Sequence, residues 1–368
     1  MTRAAVLFGA GQPLEICDVE VQPPKDHEIT VRLAASGVCH SDLTAQNGTI
    51  SSFPTPIVLG HEGAGVVIGT GKDVTAFAPG DHVVLASAPK CGQCFWCRRG
   101  QPTLCETIMH LASGGLLDDT PRFALDGAPV HQLCFTGTFS EVTVVPDIAA
   151  VKIPDDVPLG PASLLGCGVV TGYGAAVNTA GIQPGDSVVV IGCGGVGLSA
   201  IQGAKAKAAG QIIAIDRVTD KLDRARRFGA THAIGADEPD LVRQVRRLTE
   251  RRGADVVIDA TGSIAAMETM IGMTRRGGEC VFVGMPAADA TISLPVLRAL
   301  IASQRTFRGC VYGAIDIQTD VPGMIAKYQR GELLLDEMVT RTLPLEEVNS
   351  ALKNLTERVD MARSVIVF

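Results

Sequence analysis

The stretch Val188-Val-Val-Ile191-Gly192-Cys193-Gly194-Gly195-Val196-Gly197 decides the fold of this chain. Its apolar run predicts a buried strand, and the glycines that follow predict a tight turn into a helix. Gly192 permits the turn, Gly194 lets the backbone approach a pyrophosphate, and Gly197 lets the helix pack closely on the sheet. A helix N-terminus with free N–H groups suits an anion. The segment therefore predicts the phosphate-binding turn of a dinucleotide-binding domain.

The residues after this turn indicate which dinucleotide would bind. A helix-like run over 198–209 leads to a second apolar strand, Gln211–Ile215, which is followed by Asp216. An acidic side chain there accepts hydrogen bonds from the adenosine ribose and repels a 2′-phosphate, so we predict NAD. Arg217 and Lys221 follow closely and leave NADP open as an alternative. A tight turn that binds no ligand is the remaining interpretation.

The composition limits the class of protein. The 368 residues are 46% hydrophobic and 4% aromatic, which is enough for a large core divided between two domains. The sequence has no long uncharged apolar segment, and its opening residues resemble a first strand more than a signal peptide. We therefore expect a cytoplasmic protein without a membrane partner. The formal net charge of -7 at pH 7 makes nucleic acid an unexpected partner.

The first part of the chain has a different rhythm from the glycine-rich region. From about residue 4 to residue 84, short β-rich runs alternate with Gly, Pro and Asp, which predicts an irregular, barrel-like domain. Within it, Cys39-His40-Ser41-Asp42 places four reactive side chains in a row, and Gly60-His61-Glu62-Gly63 follows. Taken alone, His61 is better explained as a hydrogen-bonded structural histidine than as a ligand, and Cys39 as a buried thiol.

A compact group of cysteines follows the β-rich runs. Two residues separate Cys91 from Cys94 and Cys94 from Cys97, and Cys105 comes shortly after them. Four thiolates can close a tetrahedral zinc site and leave no open position, so this metal would be structural. Disulfides are the alternative, but a chain without an export signal disfavours them.

Over essentially its whole length, the chain resembles the zinc-dependent, medium-chain alcohol dehydrogenases. The resemblance rests on His61-Glu62 with Gly65 and Gly71, on the four-cysteine segment, and on Cys167, the glycine turn and Asp216. It implies an α/β protein with two domains. A doubly wound, parallel-sheet Rossmann domain would occupy 171–310 and bind NAD. A β-rich, GroES-like catalytic domain would occupy 1–170 and 311–368 and carry the structural zinc lobe at 91–105.

The resemblance also implies a catalytic centre. Cys39, His61 and Cys167 would hold a catalytic zinc whose fourth position takes water or a substrate oxygen, so two zinc ions are expected per chain. Glu62 would lie near this metal as an occasional ligand, and Asp42 would orient His61.

Proton transfer and cofactor binding follow from the same resemblance. Ser41 would pass the alcohol proton toward the nicotinamide ribose. Thr44 stands where many relatives carry a histidine that releases the proton, so water or His40 would have to complete the exit. His40 and Arg363 would touch the pyrophosphate, and Val196 and Val283 would contact the nicotinamide. The expected cofactor-binding residues are His40, Thr171, Gly192, Gly194, Gly195, Val196, Gly197, Asp216, Arg217, Lys221, Val283 and Arg363.

Departures from the family concern the substrate. The glutathione-dependent formaldehyde branch carries acidic residues where this chain has Ile50 and Ser52, and an arginine where it has Met109. In that branch these charges bind glutathione, so their absence here predicts a substrate without a glutathione group. The expected substrate pocket is apolar and consists of Ile50, Leu133, Met285 and Val311 beside the small Ser41 and Ser87.

We therefore predict an NAD-dependent zinc enzyme that oxidises a primary alcohol, aromatic, allylic or longer aliphatic, to its aldehyde. The alternatives are a dehydrogenase of S-(hydroxymethyl)glutathione, a secondary-alcohol or acyl-CoA-linked alcohol dehydrogenase, and a catalytically silent relative. The long connection over 106–136 resembles the dimeric branches of the family, so we expect a homodimer and keep a tetramer as the alternative.

Overall fold

A computed structural model describes residues 1–49, 53–357 and 361–368. The chain divides into two compact units: unit 1 comprises Met1–Cys167 and Asp316–Phe368, and unit 2 comprises Gly168–Ile315. These breaks fall a few residues from the boundaries that the sequence suggests. The middle of the chain thus forms one unit, and the two flanking parts form the other.

The described strands and helices are numbered here in chain order. The strands are β1 (Thr2–Leu7), β2 (Glu15–Val21), β3 (Glu28–Gly37), β4 (Ile57–Val58), β5 (Gly63–Thr70), β6 (His82–Leu85), β7 (Phe123–Leu125), β8 (Ala128–Gln132), β9 (Val142–Pro146), β10 (Ala150–Lys152), β11 (Ser187–Ile191), β12 (Gln211–Asp216), β13 (His232–Gly235), β14 (Ala254–Asp259), β15 (Thr274–Phe282), β16 (Thr306–Gly309), β17 (Val339–Leu343) and β18 (Arg363–Val367). The α-helices are α1 (His40–Asn47), α2 (Phe95–Arg98), α3 (Leu159–Ser163), α4 (Gly168–Gly174), α5 (Gly195–Ala206), α6 (Thr219–Phe228), α7 (Leu241–Leu248), α8 (Ile264–Met273), α9 (Ile317–Gln329) and α10 (Val348–Glu357).

Unit 2 is a parallel sheet with helices between its strands. The strands lie in the order β13-β12-β11-β14-β15-β16, and each neighbouring pair is parallel. The order reverses at β11, which is the doubly wound arrangement of dinucleotide-binding domains. The apolar run of β11 is buried from Val188 to Ile191, as a central parallel strand requires. The predicted α/β fold class is confirmed.

Unit 1 is β-rich. Strands β1, β2, β7, β8 and β4 close a small barrel, and β10, β6, β5, β3, β18 and β17 form a sheet to which β9 adds by pairing with β3. The closing strand β18 pairs antiparallel with β3, so the C-terminal part of the chain completes the sheet that the N-terminal part begins. Cys39 and α1 follow directly from β3, which places them at the end of this sheet.

The segment 106–136, which the sequence predicts to be a long connection, contributes strands β7 and β8 to the barrel. It contains the β7–β8 hairpin, and the buried Arg122 at its start donates from Nε to Glu28 Oε2 at 2.8 Å. A further guanidinium contact, to Asp118 at 3.0 Å, links the hairpin to the segment just before it. A buried arginine is tolerated because both partners are carboxylates.

Among the described residues, we find no single helix long and apolar enough to cross a membrane. One bent pair, Leu159–Gly166 with Gly168–Thr179, meets the criteria of length and composition.

Candidate active site and metal centres

Unit 1 brings Cys39, His61, Glu62 and Cys167 together. One possible ligand atom from each residue lies within 4.8 Å of the others, and all but Cys167 are buried. Cys39 precedes α1, and His61 and Glu62 lie between β4 and β5. Cys167 is the last residue of the first part of unit 1. The structure thus assembles the four residues that the resemblance implies.

Asp42 fixes the two parts of the chain that supply Cys39 and His61. Its Oδ2 accepts the Cys39 backbone N–H at 3.0 Å, and its Oδ1 accepts from the Gly60 N–H at 3.0 Å and contacts His61 Nδ1 at 2.8 Å. The carboxylate is fully buried, so these contacts replace its hydration. With Nδ1 engaged by a carboxylate, the other ring nitrogen is directed toward the cysteines.

The chemistry of this group fits a divalent metal such as zinc. Nε2 of His61 is buried and has no hydrogen-bond partner among the described residues, although its ring is otherwise held firmly. Burial lowers the pKa of His61, but Asp42 and Cys167 raise it more, so that the pKa lies well above its ordinary value. The surroundings of the ring thus favour a positive charge, which a metal cation would supply. A hydrogen bond from Cys167 holds the pKa of Cys39 well below its ordinary value despite burial. A thiolate is the form of cysteine that binds metals.

Glu62 forms an ion pair with Arg363, which begins β18. Burial raises the pKa of the Glu62 carboxyl to about 7, and the guanidinium of Arg363 opposes that rise. Arg363 also donates to the Val38 carbonyl at 3.1 Å. The arginine expected at the pyrophosphate is therefore engaged with the metal group here, and its contact with the cofactor stays a prediction. No local sequence signal could reveal a pair separated by this length of chain.

The four cysteines of the lobe also converge. The sulfur atoms of Cys91, Cys94, Cys97 and Cys105 lie within 4.8 Å of one another, and all four are free thiols. The Cys91 N–H donates to Cys105 Sγ at 3.2 Å. Backbone N–H groups of Cys97 and Glu106 lower the pKa of Cys94 to about 6. Four sulfurs with a thiolate among them fit a closed tetrahedral zinc site.

The glycine turn of unit 2 has the geometry that its sequence predicts. Gly192 has a φ of 92°, and its N–H donates to the Ile215 carbonyl at 2.8 Å. A Cβ at Gly197 would lie 1.7 Å from the Gly192 carbonyl oxygen, so only glycine permits this close approach. Gly194 is the residue before α5, and Gly195 and Val196 open the helix.

Asp216 ends β12 beside this turn. Its Oδ2 accepts the Cys193 N–H at 2.7 Å, and its Oδ1 accepts the Val218 N–H at 2.9 Å. The neighbouring Arg217 is exposed and pairs with Asp237 at 3.5 Å rather than with Asp216. The acidic side chain is thus fixed against the glycine turn, while Lys221 lies half-buried in α6.

The other predicted cofactor residues are distributed over both units. His40 is exposed at the start of α1 in unit 1. Thr171 lies in α4, and Val283 is buried just after β15, both in unit 2. Their roles at a cofactor stay predictions.

The predicted substrate residues are likewise divided. Ser87 and Leu133 are buried in unit 1, whereas Met285 and Val311 are exposed in unit 2. Met109 is 77% exposed on the segment after the lobe. Ile50 and Ser52 lie outside the described residues.

Ser41 stands next to the metal group. Its hydroxyl lies 3.8 Å from Cys39 Sγ, and its backbone carbonyl accepts the Thr44 hydroxyl at 2.9 Å. The Thr44 proton is therefore already committed to the backbone.

Comparisons with known proteins agree with this architecture. The family model described as alcohol dehydrogenase GroES-like domain matches residues 25–155, and the one described as zinc-binding dehydrogenase matches residues 195–330. S-(hydroxymethyl)glutathione dehydrogenase from Escherichia coli is 39% identical over 353 residues, which are 95% of each chain.

Solved structures extend the comparison over the whole chain. An alcohol dehydrogenase zinc-binding domain protein from Burkholderia ambifaria has a TM-score of 0.95 at 33% identity and is aligned over 100% of this chain and 98% of its own. Benzyl alcohol dehydrogenase from Acinetobacter calcoaceticus has a TM-score of 0.93 at 30% identity, with 100% and 99% of the chains aligned.

The fold and the two cysteine-containing centres define a metal-dependent dehydrogenase that binds a dinucleotide. The chain belongs to the family of zinc-dependent, medium-chain alcohol dehydrogenases. It is an oxidoreductase that acts on alcohols, zinc is its metal, and NAD is the cofactor typical of the family.

Proposed function

We propose that this enzyme uses NAD to oxidise an apolar primary alcohol, aromatic, allylic or longer aliphatic, to its aldehyde, and that it also catalyses the reverse reaction. The observation that carries the proposal is the convergence of Cys39, His61 and Cys167, because three protein ligands would leave the fourth position of a zinc ion open to a substrate oxygen. The apolar substrate class is supported by Leu133, by Met109 and Ile50 in place of charged residues, and by the likeness to a benzyl alcohol dehydrogenase.

Cys39, His61 and Cys167 would hold the catalytic zinc, which supplies a Lewis acid that polarises the alcohol or carbonyl oxygen. Asp42 would keep the His61 ring in one orientation and tautomer. Glu62, paired with Arg363, would stay beside the site as a reserve ligand. The four cysteines of the lobe would hold the second zinc, which has no open position for chemistry.

Ser41 would accept the alcohol proton at its Oγ and pass it on. Its place next to Cys39 supports this role. Thr44 donates to a backbone carbonyl and, unlike imidazole, does not store a proton near neutral pH. Water or the exposed His40 would therefore release the proton to solvent.

Asp216 would select NAD by accepting hydrogen bonds from the adenosine ribose and repelling a 2′-phosphate. Its fixed position beside the glycine turn supports this role. Asp216→Gly should weaken NAD and relax discrimination against NADP, which the ratio of kcat/KM values for the two cofactors measures. Equal use of both cofactors by the native enzyme would contradict the proposal.

A second candidate function is the oxidation of S-(hydroxymethyl)glutathione. It is favoured by relatives of that name at 39% identity over nearly the whole chain. A panel of alcohols, together with formaldehyde assayed with and without glutathione, separates the two candidates through the rate of NADH formation. Oxidation of benzylic and long-chain alcohols without glutathione supports the main proposal, and a strict requirement for glutathione would replace it with the second.

The proposed assembly is a homodimer whose subunits meet at β16. The proposed location is the cytoplasm. Among the described residues, β16 pairs on one side only, with β15. Leu297 and Ile301, in the helical turn just before β16, are 67% and 62% exposed. Leu297→Glu should convert the dimer to a monomer in sedimentation. A wild-type monomer would contradict the proposal, and a tetramer would require a second interface.

A further inference from the structure

The turn that carries His61 and Glu62 packs closely against Thr138 and Phe139, and Thr138 is the side chain that lies against both ends of the turn. Gly60 and Gly63 flank the two residues. A Cβ at Gly60 would lie 2.6 Å from Thr138 Oγ1, and a Cβ at Gly63 would lie 2.7 Å from Thr138 Cγ2. Both glycines therefore leave room for Thr138, which presents its hydroxyl to Gly60 and its methyl group to Gly63.

The backbone of Thr138 also forms a hydrogen bond with this turn. Its N–H donates to the Gly60 carbonyl at 2.9 Å, while the Gly60 N–H donates to Asp42 Oδ1 at 3.0 Å. The same Asp42 oxygen contacts His61 Nδ1. Gly60 thus connects Thr138 to the carboxylate that orients the His61 ring.

The hydroxyl of Thr138 reaches a second element of the centre. It forms a hydrogen bond of 2.6 Å with the hydroxyl of Ser36, and both residues are fully buried. Ser36 lies in β3, whose end leads to Cys39. The Ser36–Thr138 bond therefore connects the strand that supplies Cys39 to the turn that supplies His61.

We infer that Thr138 and Ser36 are positioning residues for the catalytic metal: they fix the separation of Cys39 and His61 without contacting substrate or cofactor. The inference rests on the proposed ligands Cys39, His61 and Cys167. Outer-shell groups that contact a ligand directly are worth about 10- to 100-fold in metal affinity, and the Ser36–Thr138 bond lies one contact further from the metal, so we expect an effect at the lower end, about 10-fold.

The experiment uses the zinc-loaded enzyme and follows the rates at which a chelator removes its two metal ions. Thr138→Val keeps the shape of the side chain and removes its hydroxyl, and we expect the zinc of the catalytic site to leave about 10-fold faster. The lobe zinc should leave at the wild-type rate and serves as the internal reference. Thr138→Ser, which keeps the hydroxyl, should stay closer to wild type.

Ser140→Ala is the matched control, because Ser140 is also fully buried but its hydroxyl donates to the Gly137 carbonyl instead. It should release both metals at the wild-type rate. Ser36→Ala removes the same hydrogen bond from the β3 side and decides the question if Thr138→Val does not fold. Wild-type release from the hydroxyl-deletion variant, or equal acceleration at both centres, would overturn the inference.

Cys167→Ser tests the ligand set separately by metal content. If that variant still binds two zinc ions, the proposed catalytic site is wrong. If it loses one zinc while the hydroxyl-deletion variant behaves as wild type, only the role of Thr138 and Ser36 is wrong.

Discussion

The lobe collects its cysteines from residues 91–105, whereas the proposed catalytic centre collects Cys39, His61 and Cys167 from residues 39–167. In the lobe, backbone N–H groups support the sulfurs, as Cys91 does for Cys105. In the catalytic centre, the buried carboxylate of Asp42 provides the support. The lobe therefore depends on a local loop, and the open centre depends on the folded barrel and sheet around it. Substitutions in the open centre should therefore change turnover most, and substitutions in the lobe should change stability most.

Cys167→Ser should remove the chemistry and leave the fold intact. The catalytic metal supplies several kcal/mol to the reaction, so its loss should lower kcat by at least about a thousandfold. Metal analysis should give one zinc per chain instead of two, with an unchanged circular dichroism spectrum. An unfolded variant would show that the open centre, like the lobe, serves stability.

Ser41→Ala should separate proton transfer from metal binding. A positioned acid–base group contributes about 10² to 10⁴ in rate, so kcat should fall by that factor while both zinc ions remain. Ser41→Thr keeps a hydroxyl and is the control. The pH profile of kcat is the measurement, and full activity of the alanine variant across it would eliminate the relay.

Asp42→Asn should weaken the open centre alone. An amide keeps the size of the side chain but loses the charge that engages His61 Nδ1, and such changes cost about 10- to 100-fold in activity or metal affinity. Asp119→Asn, which alters an exposed carboxylate after the lobe, should have no effect. If Asp42→Asn instead released the lobe zinc, the two centres would not be independent.

Cys97→Ser should cause the smallest change in turnover per folded chain and the largest change in stability. Structural zinc binding is coupled to folding, so loss of one thiolate should lower Tm by roughly 5–10 °C, at about 2–4 °C per kcal/mol. Calorimetry and metal analysis are the measurements. A variant that kept two zinc ions and its Tm would show that three cysteines suffice.

The difference between a local and a dispersed set of ligands also explains which features the sequence predicts. The spacing of the lobe cysteines and the glycine turn are local patterns, so residue order alone indicates a metal site and a phosphate-binding turn. No local sequence pattern connects Cys39, His61 and Cys167. At the level of sequence, only the family resemblance predicts that they form one site. The ion pair of Glu62 with Arg363 depends on strand pairing across the whole chain, which no single segment encodes.

The sequence does not predict the barrel hairpin or the role of Thr138. The hairpin within 106–136 is missed because its strands, of 3 and 5 residues, are too short to show a clear alternation of apolar and polar residues. Thr138 is missed because its importance comes from two glycines that are distant in sequence.

The ion pair between Glu62 and Arg363 also has a consequence for biosynthesis. Glu62 is synthesised early, but the cation that compensates its buried charge arrives only after unit 2 has been made. A carboxylate without this cation is costly to bury, so we expect the metal-binding turn to stay exposed to solvent on the nascent chain until Arg363 has been made. Unit 2 is continuous in sequence and can fold during this interval. We therefore expect the centre at Cys39, His61 and Cys167 to assemble only after the dinucleotide-binding unit is complete.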